Sequence, residues 1–450
     1  MTSTLFKSSR LNSPTLHKLP NGLTIIAEQM PIDVVNLNLW IKVGSAVESD
    51  AINGMAHFLE HMIFKGTERL ASGEFERRIE ERGAVTNAAT SQDYTHYYIT
   101  TAPQDFAELA PLQIDVVFNP SIPDDAFERE RSVVLEEIRR SEDNPHRRTF
   151  RRAMEMAFDV LPYRRPVLGT ESVISGLQPQ QMRDFHADWY QPQAITAVAV
   201  GNLPVEQLIE TVAEGFTQVG KTQHGLNAPL PLTALSEKLR AGVPPVEQTS
   251  VTQHLQINRE SAFTEIVRRE FVDKSLQQAR LVMVWRVPGL AELNQTYGLD
   301  VLAGVLAHGR TSRLVRDLRE ERGLVSSIAV SNMSNLLQGT FYISAKCAVE
   351  NLAIVEEAIA QHIRRLQTEL VTDKEISRIR KRVTNRFVFG NETPSDRSGL
   401  YGFYQSLVGD LEPAFNYPAH IQQQEANDLL LAANQYLCPE AYGVVVMKPM

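Results

Sequence analysis

Cysteine is almost absent: Cys347 and Cys438 are the only two in 450 residues. Two thiols cannot build a disulfide framework or a Cys-rich zinc site, and their scarcity fits a reducing compartment. No apolar run reaches the roughly 18 residues of a membrane span, so no membrane partner is expected. A cationic excess is missing as well. Lys and Arg number 45 against 54 Asp and Glu, a net charge of −9. Phosphate neutralisation needs clustered cations, so no nucleic-acid partner is expected, although a local basic groove stays compatible with the total. Acid is lacking at the N-terminus, where the first acidic residue is Glu28. The same stretch has no apolar h-region, so no secretory signal is expected. It reads as a frayed polar arm over residues 1–15, with an organelle transit peptide as the alternative of similar composition.

What is present is an ordinary globular composition, 43% apolar and 22% charged, which excludes a mostly disordered chain. The length favours two domains or more, at roughly 100–200 residues each. Asn21-Gly22 between two apolar runs signals a hairpin. Residues 35–43 alternate and read as a strand, as do 95–100 and 195–201. Residues 50–65 read as a helix stopped at Gly66, and 123–142 as a long charged helix. From about 219 to 253 periodicity lapses, which marks 223–250 as the linker between a domain at 16–222 and a second at 251–450.

Three segments of the first half return in order in the second. Trp40-Ile41-Lys42-Val43-Gly44 is echoed by Trp285-Arg286-Val287-Pro288-Gly289, and Glu80-Glu81-Arg82-Gly83 by Glu320-Glu321-Arg322-Gly323. Tyr97-Tyr98-Ile99-Thr100 is echoed by Phe341-Tyr342-Ile343-Ser344, and the three offsets are 245, 240 and 244. A domain-sized period means duplication into two similar halves rather than a solenoid.

The chemistry concentrates on the first predicted helix. Met55, Phe58, Leu59, Met62 and Ile63 form its apolar face. At about 100° per residue, His57, Glu60 and His61 fall opposite. Histidines four apart project side by side and can share one Zn²⁺. Glu60 shares the stripe and can reach the metal's water without being a ligand. His57-Phe58-Leu59-Glu60-His61 is the H-x-x-E-H pattern. Most His/Glu stripes are solvated faces, but this one lacks the Lys/Glu mixture of an ordinary exposed helix. Zinc needs a third protein ligand, and the long helix offers several glutamates. Glu130 and Glu137 share a face bordering Phe127, Val134 and Ile138. Glu137 is therefore the better ligand, and Glu130 a carboxylate that could orient a ligating group.

The stretch from Gly54 to Thr67, Gly-Met-Ala-His-Phe-Leu-Glu-His-Met-Ile-Phe-Lys-Gly-Thr, resembles the signature of the inverzincin peptidases. These are the pitrilysin/insulysin and mitochondrial-processing-peptidase family. That family's third zinc ligand lies in a Glu-Arg-x-Val-Val-x-x-Glu segment about 76 residues after the second histidine. Glu130-Arg131-Ser132-Val133-Val134-Leu135-Glu136-Glu137 matches it, and 137 − 61 = 76. The resemblance implies one Zn²⁺ per chain on His57, His61 and Glu137, with Glu60 as catalytic base. It implies a peptide substrate held in extended form by a sheet edge at Asn87, Ala88, Ala89 and Thr90; an ordinary edge strand is the plainer reading. It also implies an α+β fold of two similar domains, each a mainly antiparallel sheet packed with helices, together forming half of a clamshell.

One departure is informative. Active members carry, in the second half, an Arg and a Tyr seven residues later that contact substrate. Here Arg319 is present, but Ser326 stands at the tyrosine position. This resembles the zinc-carrying subunit of two-chain members, so a homologous sister subunit is expected, in a heterodimer or else a homodimer. Two other classes compete: a scaffolding subunit of a larger complex, and a peptide-binding module without turnover. Bacterial cytoplasm is the expected location, with an organelle matrix the alternative. His96 and His186 sit among aromatics and read as packing residues, both cysteines as buried and inert, and His146 as a loop residue. The segment 390–402 has turn chemistry without phosphate-loop spacing.

Overall fold

The computed structural model describes residues 13–220 and 259–450, so the expected linker at 223–250 lies outside the described residues. Asn21-Gly22 acts as read: Gly22 takes φ 93° between β1 (Thr15–Lys18) and β2 (Thr24–Gln29), which pair antiparallel. Thr15, expected in the N-terminal arm at 1–15, already belongs to a strand, and residues 1–12 of that expected arm lie outside the described residues. Among the described residues, no helix is long and apolar enough to cross a membrane.

The described residues fall into two compact units. The first takes 13–138, 167–220 and 386–416, and the second takes 139–166, 259–385 and 417–450. These are not the contiguous blocks 16–222 and 251–450 expected above, and sheet burial explains why.

In the first unit, β3 (Val35–Ile41), β4 (Val85–Thr90), β5 (Thr95–Thr101) and β6 (Ile195–Gly201) complete a six-stranded sheet ordered β1-β2-β6-β3-β5-β4. One face, carrying Leu37, Leu39 and Ile41, packs under α1 (Met55–Ile63), α2 (Glu74–Glu81), α3 (Phe106–Phe118) and α4 (Asp124–Asp143). The alternation in β3 would leave Asn36, Asn38 and Trp40 in water on the other face. All three are buried instead.

The cover comes from far along the chain. After α5 (Pro145–Ala157), α6 (Pro179–Trp189) and α7 (Val205–Gly220), the second half carries α8 (Leu293–Ala307), α9 (Leu352–Thr368), α10 (Asp373–Phe389), α11 (Pro394–Leu407) and α12 (Ala426–Tyr436). It is α11 that lies on β3 and β6. Its start overturns the turn reading of 390–402. Pro394 occupies the first helical turn, and the Thr393 hydroxyl caps the Asp396 N–H at 3.1 Å, a standard N-terminal arrangement. Beneath it, the hydroxyl of Ser398 donates to Asn36 Oδ1, and Trp40 stacks on His96 at 4.5 Å between ring centroids. The buried Glu28 carboxylate accepts from Arg397 Nη1 at 2.7 Å and from the Tyr401 hydroxyl at 2.8 Å.

The second unit repeats the plan. Its strands are β7 (Val267–Val272), β8 (Ala279–Pro288), β9 (Val325–Met333), β10 (Gln338–Cys347) and β11 (Gly443–Lys448), ordered β7-β11-β8-β10-β9. Without β1, the first order β2-β6-β3-β5-β4 matches this one strand for strand. In each sheet the one parallel pairing falls at the same place, β2 with β6 and β7 with β11. One face packs against α8, α9 and α12. The other receives α5, which lies on β8 and β11. Each sheet is therefore closed by a helix encoded in the other half of the sequence.

The echoes land on corresponding elements, with one correction. Gly83 and Gly323 both adopt left-handed φ, 62° and 61°, just before β4 and β9. Trp40 and Trp285, however, lie on opposite sheet faces. Trp285 sits in the main core beside Phe341, whereas Trp40 lies under α11. The core-facing counterpart of Trp285 is Leu39, paired with Tyr97. A one-residue offset flips a side chain through the sheet.

Other side-chain readings divide. His186 packs as expected, its Nε2 2.9 Å from the Val117 carbonyl and its ring stacked on Tyr190. Cys347 is buried, but Cys438 is exposed. His146 is not a loop residue: Asn144 caps α5 by accepting its N–H at 2.9 Å, and Pro145 fills the first helical position.

Arg397→Met should leave the Glu28 carboxylate buried without its cation, destabilising the first unit by about 3–5 kcal/mol. Replacing both residues with Met should recover most of that loss. Denaturant titration followed by circular dichroism checks this; equal losses in single and double variants would contradict it.

Candidate metal centre

The helix bearing the His/Glu stripe starts later than its sequence suggested. Residues 50–52 form a separate 3₁₀ turn, Gly54 takes φ 98°, and α1 begins at Met55. A Cβ at Gly54 would come within 2.7 Å of the Leu168 carbonyl oxygen, so the chain's close approach here requires glycine. Gly54 offers no capping side chain. The buried Glu48 carboxylate takes that role, accepting the Gly54 N–H at 2.8 Å, the Ala56 N–H at 2.7 Å and the Asn53 amide at 2.9 Å. A carboxylate at this end also complements the helix dipole. Sequence reasoning missed Glu48; the signal was a helix start with no Ser, Thr, Asp or Asn immediately before it.

The apolar stripe Met55, Phe58, Leu59, Met62 and Ile63 is fully buried. Phe58 stacks on Phe127 of α4 with centroids 4.5 Å apart. Arg131 anchors α4 from the side, donating to the Ile174 and Leu177 carbonyls at 2.5 and 2.8 Å. With the two helices docked this way, their polar stripes meet. His57 Nε2 lies 3.4 Å and His61 Nε2 3.7 Å from the same Glu137 oxygen, Oε2. One ligand atom from each of the three residues lies within 4.8 Å of the others. Donors at about 2.0–2.2 Å on a tetrahedral ion stand about 3.3–3.6 Å apart, so this spacing suits a divalent metal. Among the described residues, it is the one group of this kind.

Electrostatics keep His57 ready for ligation. Burial, with a smaller push from His61, lowers the His57 pKa to about 3. The ring stays neutral, the form that binds metals, and its close approach to Glu137 is convergence of donors rather than an ion pair. Burial alone would lower His61 too, but the bond from Nδ1 to Glu130 Oε1 at 2.9 Å and the nearby carboxylates raise it overall. Glu130 is correspondingly held below the usual carboxylate range, chiefly by that bond. Its other oxygen takes Lys65 Nζ at 2.8 Å, a partner the sequence did not suggest. His57 Nδ1 is buried with no partner among the described residues.

Glu60 stands beside the cluster but outside it. The Thr90 hydroxyl donates to its Oε2 at 2.5 Å. Burial raises the Glu60 pKa despite that bond. Asn87, Ala88 and Ala89 lie with Thr90 on β4, which among the described residues pairs only with β5 and forms the sheet's edge. Thr90 thus has a side-chain role toward Glu60 beyond the backbone role expected of it. Arg319 belongs to the second unit, where it pairs with Glu320 at 2.7 Å. Ser326 lies at the start of β9, its hydroxyl donating to Gln278 at 2.8 Å.

The chain is similar to known proteins over most of its length. Residues 23–171 match the family described as Insulinase (Peptidase family M16), and residues 176–383 match Peptidase M16 inactive domain. An uncharacterized zinc protease of Streptomyces coelicolor is 28% identical over 97% of this chain and 90% of its own length. Zinc protease PqqE of Helicobacter pylori is 26% identical over 96% and 92%. In fold, the chain superposes on a protease from Helicobacter pylori with TM-score 0.83 and 24% identity, covering 98% of this chain and all of that one.

Glu48→Ala should untie three donors at the start of α1 and destabilise the first unit by about 1–3 kcal/mol. Urea unfolding of the variant tests this, and an unchanged midpoint would show that the helix start does not depend on the carboxylate.

Proposed function

Because the chain belongs to peptidase family M16, we propose that it is a zinc-dependent metalloendopeptidase subunit that hydrolyses peptides or unfolded segments. The observation that carries this reading is the convergence of His57 Nε2, His61 Nε2 and Glu137 Oε2 on one point, with Glu60 alongside. Two imidazoles and a carboxylate are a donor set typical of hydrolytic zinc, with a coordination position left open. One Zn²⁺ would be held by His57, His61 and Glu137. When bound, zinc supplies Lewis acidity toward a carbonyl oxygen and a water molecule.

The remaining work falls to the chain's own side chains. Glu60 accepts a proton from the attacking water and delivers it to the departing amide nitrogen. Thr90 holds the Glu60 carboxylate in place through Oε2. Glu130 fixes the tautomer and tilt of His61 through Nδ1, while Lys65 fixes Glu130. The free edge of β4 at Asn87, Ala88, Ala89 and Thr90 offers backbone hydrogen bonds to an extended substrate, which makes few demands on its sequence. The bacterial relatives favour a bacterial cytoplasm as the place of action.

The substrate-contact pair is incomplete, since Arg319 has Ser326 where a tyrosine is expected. We therefore assign full activity to a complex with a homologous sister subunit that supplies the Arg/Tyr pair, in a closed two-chain chamber. The same serine favours a second reading, a peptide-binding or scaffolding subunit without turnover. The intact donor set and base weigh against it.

Glu60→Gln should keep about one zinc per chain and lose roughly 10²–10⁴-fold in turnover. His57→Ala should lose both metal and turnover. Metal analysis alongside cleavage of a quenched peptide checks both, and near-normal cleavage by Glu60→Gln would remove the base assignment. Purified alone, the chain should cleave poorly, and co-purification with its sister subunit should restore activity. Full turnover by the lone chain would rule out the requirement for a partner.

A further inference from the structure

The second unit contains a cavity of about 170 Å³ between α5 and the face of the β8-β10-β9 sheet. Its floor can be read from strand register. Lys346 of β10 stands directly opposite Arg280 of β8 and, on its other side, opposite Ser327 of β9. Both cations line the cavity. Cross-strand neighbours on one face sit close together, and like charges so placed repel. An opposite charge in such a place would be stabilising. Among the described residues, no Asp or Glu lines the cavity. Neither the Arg280 guanidinium nor the Lys346 ammonium has a hydrogen bond or ion pair among the described residues, and Arg280 Nε is buried without a partner.

Positive potential also arrives from the wall. His146, in the first turn of α5, lines the same end, where the helix N-terminus adds its partial positive charge. Two residues further along β10 the floor turns less polar: Ser344 lies between Val282 and Ala329. Beyond it, Tyr342 meets Phe150 of α5 edge-on at 6.1 Å. Among the described residues, the cavity thus has a cationic end lacking counter-charge and an aromatic end, four residues apart along β10, about 13 Å at the strand rise.

We propose that this cavity binds a carboxylate joined to an apolar body, as presented by the C-terminal end of a peptide with a free carboxylate. The carboxylate meets Arg280 and Lys346 in charge-assisted hydrogen bonds, relieving their mutual repulsion, and the apolar body rests against Phe150 and Tyr342. The peptide as source rests on the peptidase reading above; the preference for a carboxylate does not.

Equilibrium dialysis of the full chain separates the two. The probes are acetyl-trialanyl-phenylalanine as the free acid, the same peptide as its C-terminal amide, and N-acetylphenylalanine, with intact and cleaved peptide quantified at the end. The free acid should bind at least ~10-fold more tightly than the amide. The double variant Arg280→Gln/Lys346→Gln should abolish that difference while retaining the wild-type zinc content and an unfolding midpoint no lower than wild type. Equal binding of acid and amide by the wild-type chain, or an undiminished preference in the folded double variant, would overturn the proposal. Binding of N-acetylphenylalanine without binding of the peptide acid would keep the carboxylate site but overturn its peptide source. Cleavage plays no part in these outcomes: the lone chain is expected to cleave poorly, so binding of the acid without hydrolysis supports the site, while the peptidase reading stands or falls on turnover in the presence of the sister subunit.

Discussion

Two helices far apart in sequence dock through one aromatic contact, Phe58 on Phe127, and everything at the candidate site follows from that docking. Each helix carries an apolar stripe that must leave water and a polar stripe that cannot enter the core. Burying the apolar stripes side by side forces the polar ones to meet at the rim. His57, His61 and Glu60 from one helix then face Glu130 and Glu137 from the other. Burial makes His57 a poor base toward protons and so leaves its lone pair for a metal. The cluster is a by-product of core packing that the surrounding bonds sharpen: Glu48 sets where the first helix starts, Arg131 pins the second, and Thr90 and Lys65 orient the carboxylates.

The duplicated plan shows how a sheet with two faces is covered. Each unit buries one face under its own helices and the other under a helix donated from the opposite half of the sequence, α11 on the first sheet and α5 on the second. Charged groups carried inward by that exchange need partners. Glu28, Arg397 and Tyr401 satisfy one another under α11. Under α5, Arg286 is satisfied by Glu260 and Asp159. Arg280 and Lys346 differ from these because nothing in the described chain answers them, and that contrast is what marks their cavity as a site rather than as structure.

Legibility from sequence followed the range of the interactions involved. The meeting of His57 and His61 with Glu130 and Glu137 was readable because the spacings, four along one helix and seven along another, are set by helical geometry within a turn or two. The strands and the long helix were readable for the same reason. The start of α1 was missed by five residues because Gly54 and a carboxylate six positions earlier decide it, outside any capping pattern. The Trp40 and Trp285 echo pointed to true duplication but to the wrong pair. A one-residue difference in strand length is small in an alignment yet reverses a side chain in a pleated sheet. His146 was misplaced because Asn-Pro reads equally well as a turn and as a helix N-terminus.

Sequence alone determined which residues can share a face, that the chain is built twice on one plan, and which family's chemistry its helix stripe fits, because periodicity and motif spacing are properties of neighbours along the chain. Only the tertiary structure decided which helix covers which sheet and which histidine Glu130 orients. It also decided that Thr90 holds Glu60 and that Arg280 and Lys346 face each other without an acid between them. Those outcomes depend on the register and docking of segments tens to hundreds of residues apart, where burial and packing choose among partners that the local pattern leaves equivalent.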